Sequence, residues 1–382
     1  MPEESDLESE LDVLAGSDVE FRSETIYFLV VDRFNSGKPG KGREEDPMFD
    51  PQQKDWGKYW GGDLQGIIDK LDYLRSMNIT AIWTTPLFEQ VQAMTLDDPP
   101  RAPIHGYWTS DFKRINPRWC NDPDEKRLFL RDDTVFDRLL AEMHGSGMKF
   151  VLDIVCNHSS PQTRQGKGKL YDDGKLIADF DNDTDHWYHH YGETVDWDDE
   201  WQIQNCELAG LATFNENNIL YRNYIKDAIK LWIGKGVDAL RVDTVKHMPL
   251  WFWQEFCADI SAANPDIFRF GEWIHSRPNQ PKSVEFANKS GMSILDFGFC
   301  EAVREVLADR HPAGFGYLKE VLDLDGNYCG ATELVTFFEN HDMPRLQSLG
   351  VSDARLDLAL VLLLTSRGVP CLYYGCEQYL HD

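Results

Sequence analysis

Residues 236–249 read GVDALRVDTVKHMP, and this stretch is the strongest guide to the fold. Its apolar residues are those of a strand that is buried on both faces, namely Val237, Ala239, Leu240, Val242 and Val245. Arg241 and Asp243 nevertheless lie inside the apolar run, and Lys246 and His247 follow it. Because burying an isolated charge is costly, these side chains need partners or a chemical role. The stretch therefore predicts a buried parallel strand with a functional carboxyl end.

Strand-like and helix-like segments alternate along the rest of the chain. Residues 24–34, 79–87 and 148–158 read as strands, whereas 64–77 and 133–147 have helical periodicity. Further strand-like segments after a long polar stretch bring the number of strands to eight. Eight apolar strands separated by helices predict an α/β fold, a (β/α)8 TIM barrel. The alternative is an open doubly wound sheet, but no GxGxxG motif follows the first strand.

The same pattern divides the chain into segments. Residues 1–20 are predicted to be an acidic, flexible extension, because they are rich in Asp and Glu and poor in periodicity. Residues 21–158 form the first part of the barrel, and residues 159–218 form an inserted subdomain after strand 3. Residues 219–382 form the second part, in which the last strand is followed by six residues. We therefore expect the eighth helix to be missing.

The charge balance narrows the class of ligand. The 382 residues include 65 acidic and 38 basic side chains, which gives a formal net charge of -27. A surface this acidic repels phosphate backbones, so nucleic acid is excluded as an expected partner. A neutral small or polymeric ligand fits the composition better.

The N-terminus and the cysteines bear on the cellular compartment. No apolar run reaches the roughly 18–20 residues that span a bilayer, so no membrane association is expected. The acidic N-terminus lacks the basic start and apolar stretch of a signal peptide. The eight cysteines show no CxxC spacing and lie in apolar segments, as buried free thiols do. A cytoplasmic location is predicted, unless a signal peptide has been removed.

Three carboxylates follow three different strands. Asp243, Glu272 and Asp342 come at the ends of the fourth, fifth and seventh strands. Because the carboxyl ends of barrel strands meet at one face, these side chains should converge there. Convergent carboxylates serve metal binding, glycoside hydrolysis or simple salt bridging. A His or Arg beside each of them favours a chemical role.

The neighbours of two carboxylates predict different protonation states. Arg241 and Asp243 are two residues apart in a strand and so share a face, which favours ionised Asp243. Glu272 lies between Phe270 and Trp273 in an apolar setting that should raise its pKa. An ionised carboxylate beside a protonated one is the arrangement of a nucleophile and a general acid.

Four motifs at strand ends resemble the α-amylase family of glycoside hydrolases. They are DIVCNH (153–158), GVDALRVDTVKH (236–247), FGEW (270–273) and FFENHD (337–342). Further stretches are similar to cyclodextrin glycosyltransferases and the amylases nearest to them, and the resemblance covers about residues 24–380. It implies α-1,4-linked glucans as substrates and a C-terminal β-sandwich after the barrel, which we expect to be missing here as the eighth helix is.

The resemblance also implies a role for individual residues. Asp243 would be the nucleophile, Glu272 the general acid/base, and Asp342 would bind sugar hydroxyls in the transition state. Asp153 would be a structural carboxylate at a strand end. The residues expected to contact substrate are His105, Tyr107, His158, Arg241, Lys246, His247 and His341.

Departures from the family pattern concern calcium and cyclisation. The family's calcium site would use Asn157 and the carbonyl of His247, but Thr213 stands where an Asp ligand is expected. Calcium (Ca²⁺) is therefore only a candidate cofactor. Relatives that cyclise their products place Tyr or Phe where this chain has Ala209, so the resemblance implies a hydrolase or a transferase that does not cyclise.

The sequence predicts a retaining α-amylase-type hydrolase. A 4-α-glucanotransferase or cyclodextrin glycosyltransferase is the first alternative, because the acceptor can be water or a sugar hydroxyl. A non-catalytic barrel that binds glucan or serves as a scaffold is the second. Such proteins typically lose a catalytic carboxylate, and all three are present here.

Overall fold

The computed structural model describes residues 21–38, 45–275 and 280–381. The acidic extension predicted for residues 1–20 lies outside these described residues. Within the same residues, no helix combines the length and the apolar character that crossing a membrane requires.

The strands in the described part of the chain form two sheets. In chain order they are β1 (Ile26–Leu29), β2 (Ala81–Thr84), β3 (Phe88–Gln90), β4 (Thr109–Ile115), β5 (Lys149–Ile154), β6 (Leu170–Asp172), β7 (Lys175–Ala178), β8 (Ala239–Val242), β9 (Phe268–Gly271), β10 (Ser293–Ile294), β11 (Val335–Thr336) and β12 (Val369–Tyr373).

The larger sheet confirms the predicted barrel. Its eight strands have the order β10-β9-β8-β5-β2-β1-β12-β11, and all paired neighbours are parallel. A bridge between Leu295 and Val335 links the two edge strands. The amide of Asp296 also donates to the Val335 carbonyl at 2.9 Å. The sheet is therefore nearly closed.

The barrel interior changes character along the strands. Phe28, Trp83 and Phe270 belong to an apolar cluster in which all three are almost fully buried. Arg241 pairs in register with Asp153 on one side and Phe270 on the other, so the three share the interior face. Charged groups thus replace apolar ones towards the carboxyl ends of the strands.

Helices connect the strands of the barrel, and one short helix belongs to the insertion. They are α1 (Val31–Phe34), α2 (Leu64–Ile68), α3 (Leu71–Ser76), α4 (Val135–Gly145), α5 (Glu200–Asn205), α6 (Ile219–Gly234), α7 (Leu250–Ala263), α8 (Pro281–Lys289), α9 (Phe297–Leu307), α10 (Phe315–Leu322) and α11 (Asp353–Thr365). Several of these helices begin directly after a residue whose side chain caps the first turn. Thr134 and Asp137 form a capping box at the start of α4, and Asn218 caps α6.

The first strand is shorter than the pattern predicts. Residues 24–34 read as one strand, but β1 ends at Leu29 and α1 begins at Val31. The cause is Asp32, whose buried carboxylate accepts hydrogen bonds from the amides of Trp60 and Gly61 at 2.8 and 3.1 Å. A following loop thus holds the chain in a turn where apolar composition alone favours continued extension.

The smaller sheet has the order β3-β4-β6-β7. It combines β3 and β4, which precede the third barrel strand β5, with β6 and β7 from the predicted insertion 159–218. Helix α6 holds it against the barrel, because the Trp232 indole donates to the Phe112 carbonyl at 2.8 Å. The hydroxyl of Tyr224 also donates to the Tyr171 carbonyl at 2.6 Å. The insertion is thereby fixed beside the carboxyl end of the barrel.

Candidate active site

The structure brings Asp243 and Glu272 together just beyond two neighbouring strands. The amide of Asp243 donates to the Ile154 carbonyl at 2.9 Å, and that of Glu272 donates to the Val242 carbonyl at 2.8 Å. These bonds extend the pairing of β5, β8 and β9 by one residue. Both carboxylates are almost fully buried and held by backbone on a rigid sheet.

Arg241 lies at the centre of the site. Its Nη1 donates to Asp243 Oδ1 at 2.8 Å and to Asp153 Oδ1 at 2.9 Å, and its Nη2 lies 2.9 Å from Glu272 Oε1. The guanidinium is fully buried, and these carboxylates offset the cost of burying its charge. One planar group with several donors thus fixes three carboxylates relative to one another.

Asp153 belongs to this network, although the sequence analysis assigned it a structural role. Its Oδ2 accepts hydrogen bonds from the Tyr107 hydroxyl at 2.8 Å and the Trp83 indole at 2.9 Å, and Oδ1 accepts from Arg241. It is fully buried. Its register pairing with Arg241 across β5 and β8 is the signal that could have placed it here, once the strand order was known.

Burial dominates the protonation of the two central carboxyls. It raises the pKa of Asp243 to about 6 against the opposing effect of Arg241, while nearby Asp153 and Asp342 raise it further. Burial also raises the pKa of Glu272 to about 8, again opposed by Arg241 and reinforced by Asp243 and Asp342. At neutral pH, Asp243 is mostly ionised and Glu272 is mostly protonated. The pKa of Glu272 thus lies above that of Asp243, as the sequence predicts. Arg241 contacts both carboxyls, so it does not cause this difference in pKa.

Thr244 contributes a backbone contact that the sequence analysis missed. It has φ +46° and ψ +41°, in the left-handed region that β-branched residues rarely adopt. This conformation turns the chain after Asp243, and the Thr244 amide donates to Glu272 Oε2 at 3.3 Å. The strained residue therefore links the two carboxylates through the backbone.

Aromatic rings stack at the side of the carboxylates. Tyr107 lies nearly parallel to His341, with ring centroids 5.2 Å apart, and nearly parallel to His105 at 5.6 Å. His105 Nδ1 also accepts a hydrogen bond from the Tyr107 amide at 3.0 Å. Burial lowers the pKa of His105 to about 4 and that of His158 to about 3, so both are neutral donors or acceptors at neutral pH.

Asp342 is the most open of the three predicted catalytic carboxylates. Its side chain is 47% exposed, and its Oδ2 lies 3.5 Å from His341 Nε2. The Asn340 side chain accepts a hydrogen bond from the Asp342 amide at 3.0 Å and so fixes the turn. Its negative charge raises the pKa of both Asp243 and Glu272, so it lies close enough to interact with both carboxyls.

A cavity of about 370 Å³ lies beside the site, and Lys246 and Trp273 are among its lining residues. Trp197, from the insertion, also lines it, and its ring lies 6.1 Å from that of His247. His247 is anchored by a contact of 3.0 Å between its Nδ1 and the Ile203 carbonyl. Burial lowers the pKa of Lys246 and brings that of His247 to about 4.

The residues implied for calcium do not form a convincing site for this ion. Asn157 Oδ1 is buried without a hydrogen-bond partner among the described residues, as a ligand atom would be. Thr213, which lies beside it, supplies no charge, and its hydroxyl is 3.3 Å from the Cys206 carbonyl. The next buried carboxylate, Glu216, is engaged at 2.8 Å by His189. Calcium prefers several oxygen ligands that include carboxylates.

The described residues contain no group of three or more His, Cys, Asp or Glu side chains that could hold a metal ion. Asn157 and His247 therefore remain the residues through which calcium would act, without the anionic partner that the ion requires.

Comparisons with known proteins agree with this architecture. A sequence profile of the α-amylase catalytic domain matches residues 28–382. A cyclomaltodextrin glucanotransferase from Bacillus sp. (strain 1-1) is 38% identical over 370 residues, which cover 95% of this chain and 50% of the relative. A similar enzyme from Geobacillus stearothermophilus is also 38% identical over 370 residues, with the same coverage. The chain thus spans about half the length of these curated relatives.

Solved structures are similar over nearly the whole chain. A cyclomaltodextrin glucanotransferase with a three-domain ABC distribution superposes with a TM-score of 0.87 at 37% identity, covering 94% of this chain and 73% of the other. An α-amylase from Anoxybacillus superposes with a TM-score of 0.78 at 32% identity, covering 95% and 72% respectively.

Proposed function

The chain belongs to the α-amylase family, and from that premise we propose that it cleaves α-1,4-glucosidic bonds of starch, glycogen or maltooligosaccharides with retention of anomeric configuration. The names of its relatives support this substrate class, since they include cyclomaltodextrin glucanotransferases and an α-amylase. The observation that carries the proposal is the shared guanidinium of Arg241, which holds Asp243 and Glu272 side by side.

The proposed reaction has two steps. In the first, an Asp243 oxygen attacks the anomeric carbon while Glu272 gives its proton to the departing glycosidic oxygen, whose bond to that carbon breaks. In the second, Glu272 takes a proton from water, whose oxygen attacks the same carbon and releases Asp243. The pKa values of about 6 and about 8 give each group the protonation state that the first step needs at neutral pH.

The remaining site residues are proposed to hold the sugar. Tyr107 presents an aromatic face that is fixed by Asp153 and by stacking on His341, and such faces suit the apolar side of a pyranose. Asp342 is exposed enough to accept hydrogen bonds from sugar hydroxyls. We propose that this side of the cleft also contacts the sugar through His105, His158 and His341. Lys246 and His247 lie beside the cavity that we propose for the leaving sugar.

Substitution of the proposed nucleophile tests this assignment. Asp243→Asn removes the attacking charge but keeps a side chain of the same size beside Arg241. We expect turnover of soluble starch to fall at least about 10⁴-fold, as for the loss of a covalent nucleophile, with an unchanged melting temperature. Activity close to that of the wild type would reject the assignment.

Hydrolysis is proposed as the main outcome, with transglycosylation as the second candidate. Ala209 supports hydrolysis, because this exposed position offers no aromatic ring to guide a glucan end back into the site. The names of the curated relatives support transfer. Chromatography of the products of maltoheptaose separates the two. Chains longer than seven units or cyclic products indicate transfer, whereas short linear products alone indicate hydrolysis.

Calcium has no step in the proposed reaction. Its implied ligands, Asn157 and the carbonyl of His247, lack a carboxylate partner because Thr213 is neutral. We propose that activity and stability do not depend on the ion. The melting temperature with and without a chelator tests this, and a clear fall after chelation contradicts it.

A cytoplasmic location stays a prediction of the sequence, to be tested by fractionation of the source cells.

A further inference from the structure

Two large aromatic side chains of the insertion are exposed beyond the cleavage site. Tyr191 is 60% exposed and Trp201 is 53% exposed, and their rings meet edge to face with centroids 5.1 Å apart. We call these two residues the outer aromatic pair. Exposed aromatic clusters of this kind mark binding surfaces more often than single exposed apolar residues do.

The pair is held on rigid backbone. Trp201 lies in the first turn of α5, where its amide donates to the capping Asp199 carboxylate at 3.0 Å and its carbonyl accepts from Asn205 at 2.8 Å. Tyr191 lies two residues after His189, whose ring is fixed by Glu216 at 2.8 Å. Rings that are ordered before a ligand arrives lose little conformational entropy on binding.

The same short helix also borders the cleavage site. Glu200 and Ile203 of α5 line the cavity that contains Lys246 and Trp273, and the Ile203 carbonyl holds His247. Trp197, which precedes the helix, is 50% exposed and lines the cavity as well. The helix that carries Trp201 therefore also supplies residues to the cavity that we propose for the leaving sugar.

The chemistry of the surface selects its occupant. Pyranose rings have apolar C–H faces that stack on aromatic rings, and neutral glucan suffers no repulsion from a protein of net charge -27. A polyanion would be repelled. Because α5 carries Trp201 together with two residues that line the cavity, the occupant that fits the pair is the part of a long glucan chain that extends past the site.

We propose that Tyr191 and Trp201 form a sugar-stacking platform for the distal part of an α-glucan chain on the leaving-group side of the site. This inference rests on the proposed function and adds to it a preference for long over short substrates. The platform does not act on the reacting bond, so short maltooligosaccharides that end inside the cavity do not sense it.

Two variants and one control test the platform. Trp201→Ala and Tyr191→Ala each remove one ring, and Phe315→Ala removes a ring that is 52% exposed on α10. For each platform variant we expect kcat/KM on amylose to fall by about 3–10-fold, as for the loss of one aromatic stacking contact. On maltotetraose kcat/KM stays unchanged, and Phe315→Ala changes neither value.

Other outcomes overturn the proposal. Equal losses on amylose and maltotetraose assign the rings to the cleft or to folding, and no loss on either substrate removes the platform altogether. Sedimentation that shows a wild-type dimer and a monomeric Trp201→Ala variant makes the surface an interface between copies.

A binding measurement separates this inference from the proposed function. We expect amylose to retard the 382-residue chain in affinity electrophoresis whether or not the chain has activity. If the wild type turns over no glucan, the proposed function fails. The platform stands if retardation still depends on Trp201, and it falls if the retardation is equal with and without that ring.

Discussion

Asp153 provides a sensitive test of how the charges of the site are coupled. The account predicts that kcat/KM rises with pH as Asp243 loses its proton near pH 6 and falls as Glu272 loses its proton near pH 8. Asp153 is among the groups that raise the pKa of Asp243, whereas it is absent from the main causes at Glu272. Asp153→Asn should therefore move the acidic limb of the profile more than the basic limb.

The size of the shift follows from the shared contact. Arg241 Nη1 lies 2.9 Å from Asp153 Oδ1 and 2.8 Å from Asp243 Oδ1. Two unit charges roughly 5 Å apart repel by about 3 kcal/mol at an effective dielectric constant of about 20. Since one pKa unit corresponds to about 1.4 kcal/mol, a full charge on Asp153 would be worth about 2 units. Burial raises the pKa of Asp153 itself to about 6, so its charge is only partly present in this pH range and the acidic limb should move down by about 1–2 units. The rate at the optimum should fall about tenfold, because Tyr107 loses a charged acceptor.

The assay is the pH dependence of kcat/KM on maltoheptaose from pH 4 to 10, with melting temperatures measured in parallel. Trp83→Phe is the matched control, because it removes a hydrogen bond to the same carboxylate and leaves the charge in place. That variant should keep the acidic limb near pH 6. An acidic limb that does not move in Asp153→Asn, or that moves equally in both variants, would refute the coupling.

Three further predictions concern single side chains. Glu272→Gln should lower kcat on maltoheptaose by at least about 10³-fold but should lower it much less on a glycosyl fluoride, whose leaving group needs no proton. The variant should also lack the basic limb of the pH profile near pH 8. Equal losses of kcat on both substrates contradict the role of Glu272 as the acid. Thr213→Asp should gain about 2–3 kcal/mol in free energy of unfolding when calcium is present at about 100 times its Kd, whereas the wild type gains nothing. Urea unfolding with the ion and with a chelator measures this difference. A similar gain in the wild type would show that its site does fit calcium. Thr244→Gly relieves a left-handed conformation and should raise the free energy of unfolding by up to about 1 kcal/mol, while a loss of stability would show that the Thr side chain holds the turn.

The barrel could be predicted because its evidence is local in sequence. The stretch around Arg241 and Asp243 indicates both an apolar strand and its charged carboxyl end. Glu272 and Asp342 have the same position at the ends of later strands. Strand ends in a parallel barrel converge by geometry, so three separate segments were enough to place three carboxylates at one face. The helical periodicity of residues 133–147 likewise predicted α4, which spans Val135–Gly145.

Other features depend on contacts that no local pattern encodes. Asp153 joins the network because β5 lies beside β8, which only the strand order reveals. The early end of β1 is caused by a bond from Asp32 to a loop about 30 residues later. Burial, a tertiary property, sets the pKa values of Asp243 and Glu272 more than the neighbouring cation does. The exposure of Trp201 is equally invisible in a sequence where most Trp residues could pack in the core.

The anomeric form of the first product tests the central claim most directly. Proton NMR of maltoheptaose cleavage, recorded before mutarotation, distinguishes the α from the β reducing end. A covalent intermediate on Asp243 with Glu272 as acid and base predicts that the α-anomer appears first, because two displacements retain the configuration. If the β-anomer appears first, a single displacement by water is at work, and the assignment of Asp243 as nucleophile is wrong.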